Sequence, residues 1–156
     1  MELSDGRVLL NARNHSKAQR RVVTISSDGG KNWSQPRLQP DLPEPICMAG
    51  MVRHALSGQA PYLLFSQPAP KEIPSGKSGT RENLTVRLSR DDGQIWPVSK
   101  TLEQGPSAYS DLAVLPDATI ACFYERADGG SKSPYGALTL ARFNLAWLTN
   151  SDSIAK

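Results

Sequence analysis

The chain has 156 residues, 38% of them apolar and 21% charged, with 12 glycines, 12 prolines and a formal charge of +3. That balance describes a turn-rich globular β protein rather than a disordered chain, and no apolar run approaches the roughly 20 residues that span a bilayer. Eighteen Lys and Arg face fifteen acids, and the bases are dispersed: Arg20-Arg21 is the only adjacent pair and no aromatic residues alternate with it. The pattern argues against nucleic-acid and membrane partners and suits, mildly, an anionic substrate.

In chain order, Met1–Gly6 lacks a basic n-region and an apolar h-region, so no signal peptide is expected in this chain. Asp5-Gly6 is a hairpin turn signal, and Arg7 to Arg13 reads as a strand followed by a loop, Asn14 to Gln19. Arg20 to Ser26 is the next strand, with Pro36 to Leu38 a short partner. Asp41-Leu42-Pro43-Glu44-Pro45 reads as a rigid connector, because proline lacks a donor and restricts the residue before it. Met48 to Leu56 and Pro61 to Ser66 form a hairpin joined at Ser57-Gly58. Gln67 to Arg81, with three prolines and few apolar residues, is a long exposed loop. Asn83 to Ser89 is a strand. Tyr109 to Leu115 and Ala118 to Arg126 make a hairpin around Pro116-Asp117, and Asp128 to Ser131 is a turn. Ala137 to Asn144 is the last clear strand. Leu145 to Leu148 is expected to pack outside the final unit, ahead of a frayed polar tail, 149–156.

One pattern occurs twice. Ser26-Ser27-Asp28-Gly29-Gly30-Lys31-Asn32-Trp33 and Ser89-Arg90-Asp91-Asp92-Gly93-Gln94-Ile95-Trp96 both read S-x-D-x-G-x-x-W, each after an apolar β-branched run. Asp accepts from turn N–H groups, Gly takes positive φ without steric cost, and Ser adds a local bond. Trp then folds over the hairpin and buries a large face. The structural roles therefore fall to Ser26, Asp28, Gly30 and Trp33, and to Ser89, Asp91, Gly93 and Trp96. A turn repeated after strands marks a repeated all-β unit, and at about 40–50 residues per blade the chain makes about three blades.

Arg13, Arg87, Tyr109 and Glu125 break the alternation of plain strands, and a charge within an apolar strand needs a partner or a wet cavity. Spacing alone favours plain readings: Arg87 fits a polar strand face with Asn83, Thr85 and Ser89, Tyr109 fits packing, and Glu125 fits an external ion pair. Cys47 and Cys122 give neither metal spacing nor a disulfide framework, and Cys122 reads as a buried small hydrophobe. His15 and His54 read as structural. No metal or cofactor is implied.

The repeated turn is the Asp box, and the chain resembles the bacterial exo-α-sialidase (neuraminidase) family with Asp-box (BNR) repeats. The resemblance implies a six-bladed β-propeller of which residues 1–148 are the C-terminal part. In Asp5-Gly6-Arg7-Val8-Leu9-Leu10-Asn11-Ala12-Arg13 it assigns Arg13 to a carboxylate-binding arginine triad, and two residues before Ser89 it assigns Arg87. Tyr109-Ser110 after Gly105-Pro106-Ser107 matches the nucleophilic tyrosine, and Glu125 in Phe123-Tyr124-Glu125 matches the glutamate that orients the first triad arginine. Phe143 to Leu148 resembles the end of the catalytic domain. The implied function is release of terminal sialic acid from sialylated glycans. Guanidinium groups suit a substrate carboxylate, and a neutral phenol avoids the repulsion an anionic nucleophile would meet.

Three members of the pattern have no counterpart here: the tyrosine-activating Glu, the first triad arginine and the acid/base Asp. The resemblance places them in an N-terminal half, so this chain alone is expected to be catalytically incomplete; a non-catalytic propeller fragment that binds glycans or proteins is the alternative. A second departure is Met48 in Glu44-Pro45-Ile46-Cys47-Met48-Ala49-Gly50, where the family often carries a pocket-lining Gln or Asn.

Overall fold

The computed structural model describes residues 1–55, 60–71, 80–130 and 132–149. Nine strands and one short helix follow in order: β1 Val8–Ala12, β2 Arg20–Ser26, β3 Arg37–Pro43, β4 Gly50–His54, β5 Tyr62–Pro68, β6 Glu82–Ser89, β7 Val98–Val114, β8 Ile120–Arg126, β9 Ala137–Phe143 and α1 Leu145–Thr149. All pairings are antiparallel. The first three strands form one sheet, β1-β2-β3, and the other six a second, in the order β4 to β9. The first half of β7 pairs with β6 and the second half with β8. The meander therefore resolves into three antiparallel units, β1–β3, β4–β7 and β7–β9.

The middle unit is apolar on both faces, and β5 shows why. Six of its seven residues are buried. Leu63 and Phe65 enter a core with Leu3, Leu9, Leu42 and Trp96, while Leu64 enters the other, with Leu84, Val86, Leu88, Leu112 and Ile120. A period of two sends alternate side chains to opposite faces, so a strand buried on both must be apolar throughout. Gly50 serves the second seam: a Cβ there would lie 2.8 Å from the Asp111 backbone and 2.8 Å from Ser66 Oγ.

Both Asp boxes close as their chemistry requires. Ser26 Oγ accepts from Gly30 N at 2.8 Å and donates to Asp28 Oδ1 at 2.8 Å; Ser89 Oγ does the same with Gly93 N (2.8 Å) and Asp91 (2.7 Å). Asp28 Oδ1 accepts from Asn32 N, and Asp91 Oδ1 from Gln94 N and Ile95 N. Gly30 and Gly93 have φ of +92° and +83°.

At three places the structure goes beyond what the sequence suggests. Asp41 to Pro43 is not a connector but the end of β3; the strand is an edge, so Pro43, opposite Arg20, leaves no ladder bond unmade where one is needed. Val98 to Ala108 is strand too, because its mixed polar sequence is carried by pairing with β6 rather than by an apolar pattern. Leu145 to Leu148 is helical and packs onto the final unit, with Leu148 buried in the larger core and Trp147 against Phe143 at 4.9 Å. The expected Ser57-Gly58 turn, the middle of the Gln67–Arg81 loop, Ser131 and the tail from 150 lie outside the described residues.

Candidate active site

Tyr109 stands just past a bend in β7. Gly105 takes φ +85°, and the chain there is tied to the start of β6: Gly105 N donates to Asn83 Oδ1 (3.1 Å), Ser107 N to Arg81 O (2.9 Å), and Leu84 N to Ser107 Oγ (2.9 Å). Beyond the bend, Tyr109 N donates to Glu125 Oε2 at 3.0 Å. Arg13, one residue past β1, donates through Nη1 to the Tyr109 phenol at 3.3 Å. The Arg81 guanidinium carbon stands 5.2 Å from the Tyr109 ring centroid. The phenol is thus flanked by two cations, with a carboxylate at its own backbone.

Arg13, Tyr109 and Glu125 are brought together. Arg87 is not. It lies six residues along β6 from Arg81, about 20 Å at strand rise, opposite Phe65 and Ser99. Burial lowers its pKa, opposed by the Asp41 carboxylate, and its Nε has no hydrogen-bond partner among the described residues. Arg87 belongs to the seam between the first and second sheets. The arginine that sequence reasoning missed is Arg81, placed there in a loop. Pairing counted outward from the second Asp box reveals it: Leu88 opposes Val98, Arg87 opposes Ser99 and Glu82 opposes Pro106, so Arg81 arrives beside Ser107 and Tyr109.

Arg81 is also anchored. Nη2 donates to Ile46 O and Nη1 to Tyr135 Oη, both at 2.7 Å. Partial burial works against its charge, but Cys47, Tyr135 and Tyr109 outweigh burial and raise its pKa. Deeper in the molecule, Arg21 and Glu44 form a buried ion pair at 2.8 Å. Arg21 also donates to Asn11 Oδ1 (2.7 Å) and Cys47 O (3.0 Å), and Glu44 Oε1 accepts from Cys47 N (3.1 Å). These extra bonds satisfy charges that would otherwise be costly to bury. Burial pushes the Cys47 thiol up to about 11, with Arg81 pulling the other way.

Two hollows meet at Tyr109. One, of about 400 Å³, is lined by Asn11, Arg13, Arg21, Met48, Ala49 and Tyr109. The other, of about 150 Å³, has Met48, Phe123, Glu125 and Leu138 around the same tyrosine. A second phenol nearby is differently disposed: Tyr124 is buried, donates to Glu103 Oε2 at 2.9 Å, and burial followed by that carboxylate pushes its pKa up to about 12. Of the two, Tyr109 is the one that also lines the hollow walled by Arg13 and Arg21. Among the described residues no three His, Cys, Asp or Glu side chains gather as metal ligands.

Residues 1–122 match the BNR repeat-like domain. The chain belongs to the sialidase family built on BNR repeats. A sialidase of Micromonospora viridifaciens is 40% identical over 153 residues, an alignment that takes 95% of this chain and 21% of that protein. The Hadza microbial sialidase Hz136 superposes with a TM-score of 0.71 at 27% identity, over 92% of this chain and 26% of the other. The intramolecular trans-sialidase of Ruminococcus gnavus, solved in complex with oseltamivir carboxylate, shares the fold with a TM-score of 0.72 at 21% identity, over 95% and 32%. The chain thus spans about a fifth of the Micromonospora relative's length.

Proposed function

We propose that this chain carries part of the active site of a retaining exo-α-sialidase acting on terminal sialic acid of glycoconjugates. One observation carries the reading: Arg13 and Arg81 flank the Tyr109 phenol while Glu125 accepts from the Tyr109 N–H. Residues 1–148 are then the C-terminal part of the propeller.

Arg13 and Arg81 bind the substrate carboxylate with charge-assisted bonds. Among the described residues two of the Arg81 N–H groups are committed, to Tyr135 and Ile46, which leaves further donors for this. The carboxylate is fixed beside Tyr109, whose oxygen attacks the anomeric carbon. The Tyr109 O–C bond forms as the glycosidic C–O bond breaks, and an acid protonates the leaving oxygen. Water then attacks the anomeric carbon from the face the leaving group vacated, opposite Tyr109, and breaks the Tyr109 O–C bond; the second inversion restores the original configuration. Cations beside the phenol favour the phenolate that develops as the proton leaves. Glu125 fixes the Tyr109 backbone, and its other oxygen is available to a further guanidinium. The activating Glu, that arginine and the acid/base Asp come from a part of the enzyme beyond this chain, so the chain alone is expected to be inactive.

The test is release of a fluorogenic sialoside by the polypeptide that completes the ring. Tyr109→Phe should lower kcat by roughly a thousandfold or more with an unchanged melting curve. Arg81→Ala should raise KM about ten- to a hundredfold, the worth of one charged hydrogen-bonded contact, whereas Arg87→Lys should leave KM unmoved. Full activity in Tyr109→Phe would remove the tyrosine from the mechanism.

A further inference from the structure

The two guanidinium groups beside Tyr109 belong to different sheets. Arg13 follows β1 in the first, and Arg81 precedes β6 in the second. Neither sheet's own ladder can fix the distance between them. What joins them is the segment Glu44 to Ala49, which runs from β3 to β4 and so from one sheet to the other. Arg81 Nη2 donates to Ile46 O at 2.7 Å. One residue on, Cys47 is gripped at both its backbone groups: Arg21 Nη1 donates to its C=O at 3.0 Å, and Glu44 Oε1 accepts from its N–H at 3.1 Å. The rest of the Arg21 fork reaches β1, where Nε donates to Asn11 Oδ1 at 2.7 Å and Nη2 to Asn11 O at 3.4 Å. Asn11 stands two residues before Arg13. A continuous path therefore runs from Arg81 through Ile46, Cys47, Arg21 and Asn11 to Arg13.

Two features along this path are costly for a fold. Ile46 takes φ +56°, a left-handed conformation that a β-branched residue adopts only where its surroundings over-determine it. Arg21 and Glu44 are both buried, and a buried ion pair adds little to stability that apolar side chains of similar volume would not supply. Arg21 also lines the hollow that holds Arg13 and Tyr109, yet its bonds go to Asn11, Glu44 and Cys47. Its fork is spent on the segments that carry the two outer arginines. We infer that Arg21 and Glu44 are positioning residues: without touching the substrate, the pair sets the spacing of Arg13 and Arg81, and so the grip of the site on the carboxylate of a sialic acid. This rests on the sialidase reading of the site.

The experiment measures competitive inhibition of the active polypeptide by 2,3-dehydro sialic acid and by its methyl ester, which keeps the ring and lacks the charge. Arg21→Lys leaves a cation against Glu44, but an ammonium cannot bridge Asn11 and Cys47 as the planar fork does. Arg21→Met combined with Glu44→Met removes the pair without leaving a lone charge in the core. Both should raise the inhibition constant of the acid about tenfold, the lower end of what one charged hydrogen bond is worth, and move that of the ester by less than about twofold. Melting curves report whether each variant folds. A folded variant with the acid constant unmoved would overturn the inference, as would constants for acid and ester that rise together. Loss of the fold in both variants would assign the pair to the scaffold and overturn it too. Acid and ester bound alike by the wild type would instead overturn the sialidase reading, and the inference with it.

Discussion

Ser26–Trp33 and Ser89–Trp96 fold into the same turn with the same serine-to-glycine bond of 2.8 Å, yet Trp33 is 42% exposed and Trp96 4%. The difference lies in what meets each turn. Trp96 stacks at 5.6 Å on Phe65, and β3 grips the turn from the neighbouring sheet: Gln39 Nε2 donates to Gly93 O, and Trp96 N donates to Asp41 Oδ2. Trp33 instead folds over its own glycine, with Nε1 donating to Gly30 O at 3.0 Å. The box is therefore a local device whose shape depends on its own side chains. Its contribution to stability depends on whether a second sheet arrives.

Substitutions should separate the two contributions. Trp96→Ala should cost about 3–5 kcal/mol, as for other large aromatic deletions from a core, while Trp33→Ala should cost less than about 1 kcal/mol; urea unfolding of both would measure the gap, and equal costs would refute the assignment of Trp96 to the seam. Ser89→Ala and Ser26→Ala each orphan a glycine N–H, at about 1–3 kcal/mol for a buried group. The Ser89 change should sit at the upper end, because the Gly93 N–H is the more deeply buried. The smallest effect is acid-dependent. Backbone and side-chain bonds from Asn32, then Ser26, hold the Asp28 carboxyl near about 2, below its ordinary 3.8. A carboxylate depressed in the folded state stabilises fully above its unfolded pKa, so the contribution should fade as pH drops from about 4 towards 2. Asp28→Asn should flatten that limb of a Tm-against-pH curve; an unaltered limb would show that Asp28 does not contribute.

The same contrast between local and imported order explains what could be read from the residues. The boxes, β2, β6 and β8 carry their own signals: turn residues at fixed offsets and β-branched runs. Glu125 could be associated with Tyr109 because one hairpin around Pro116-Asp117 holds both. Val98 to Ala108 carries no such signal, since its Ser, Lys, Glu, Gln, Gly and Pro become strand only by pairing with β6. Without that half of β7 the sequence offers no register to count, so it reads Arg81 as loop and does not bring it to Tyr109. β3 was truncated for a related reason: Pro40 and Pro43 argue for a break, and only the edge position makes them compatible with a strand.

The bend at Gly105 also makes the reactive group a matter of parity. Next to Tyr109 stands Ser110, turned inward, its hydroxyl 2.9 Å from that of Ser66. One residue inserted or deleted between Gly105 and Tyr109 would exchange the two, driving a phenol into the packed seam and offering a small alcohol to the cleft. Length between these two positions is therefore constrained more tightly than composition, and tolerance to single-residue indels should vanish over that short span.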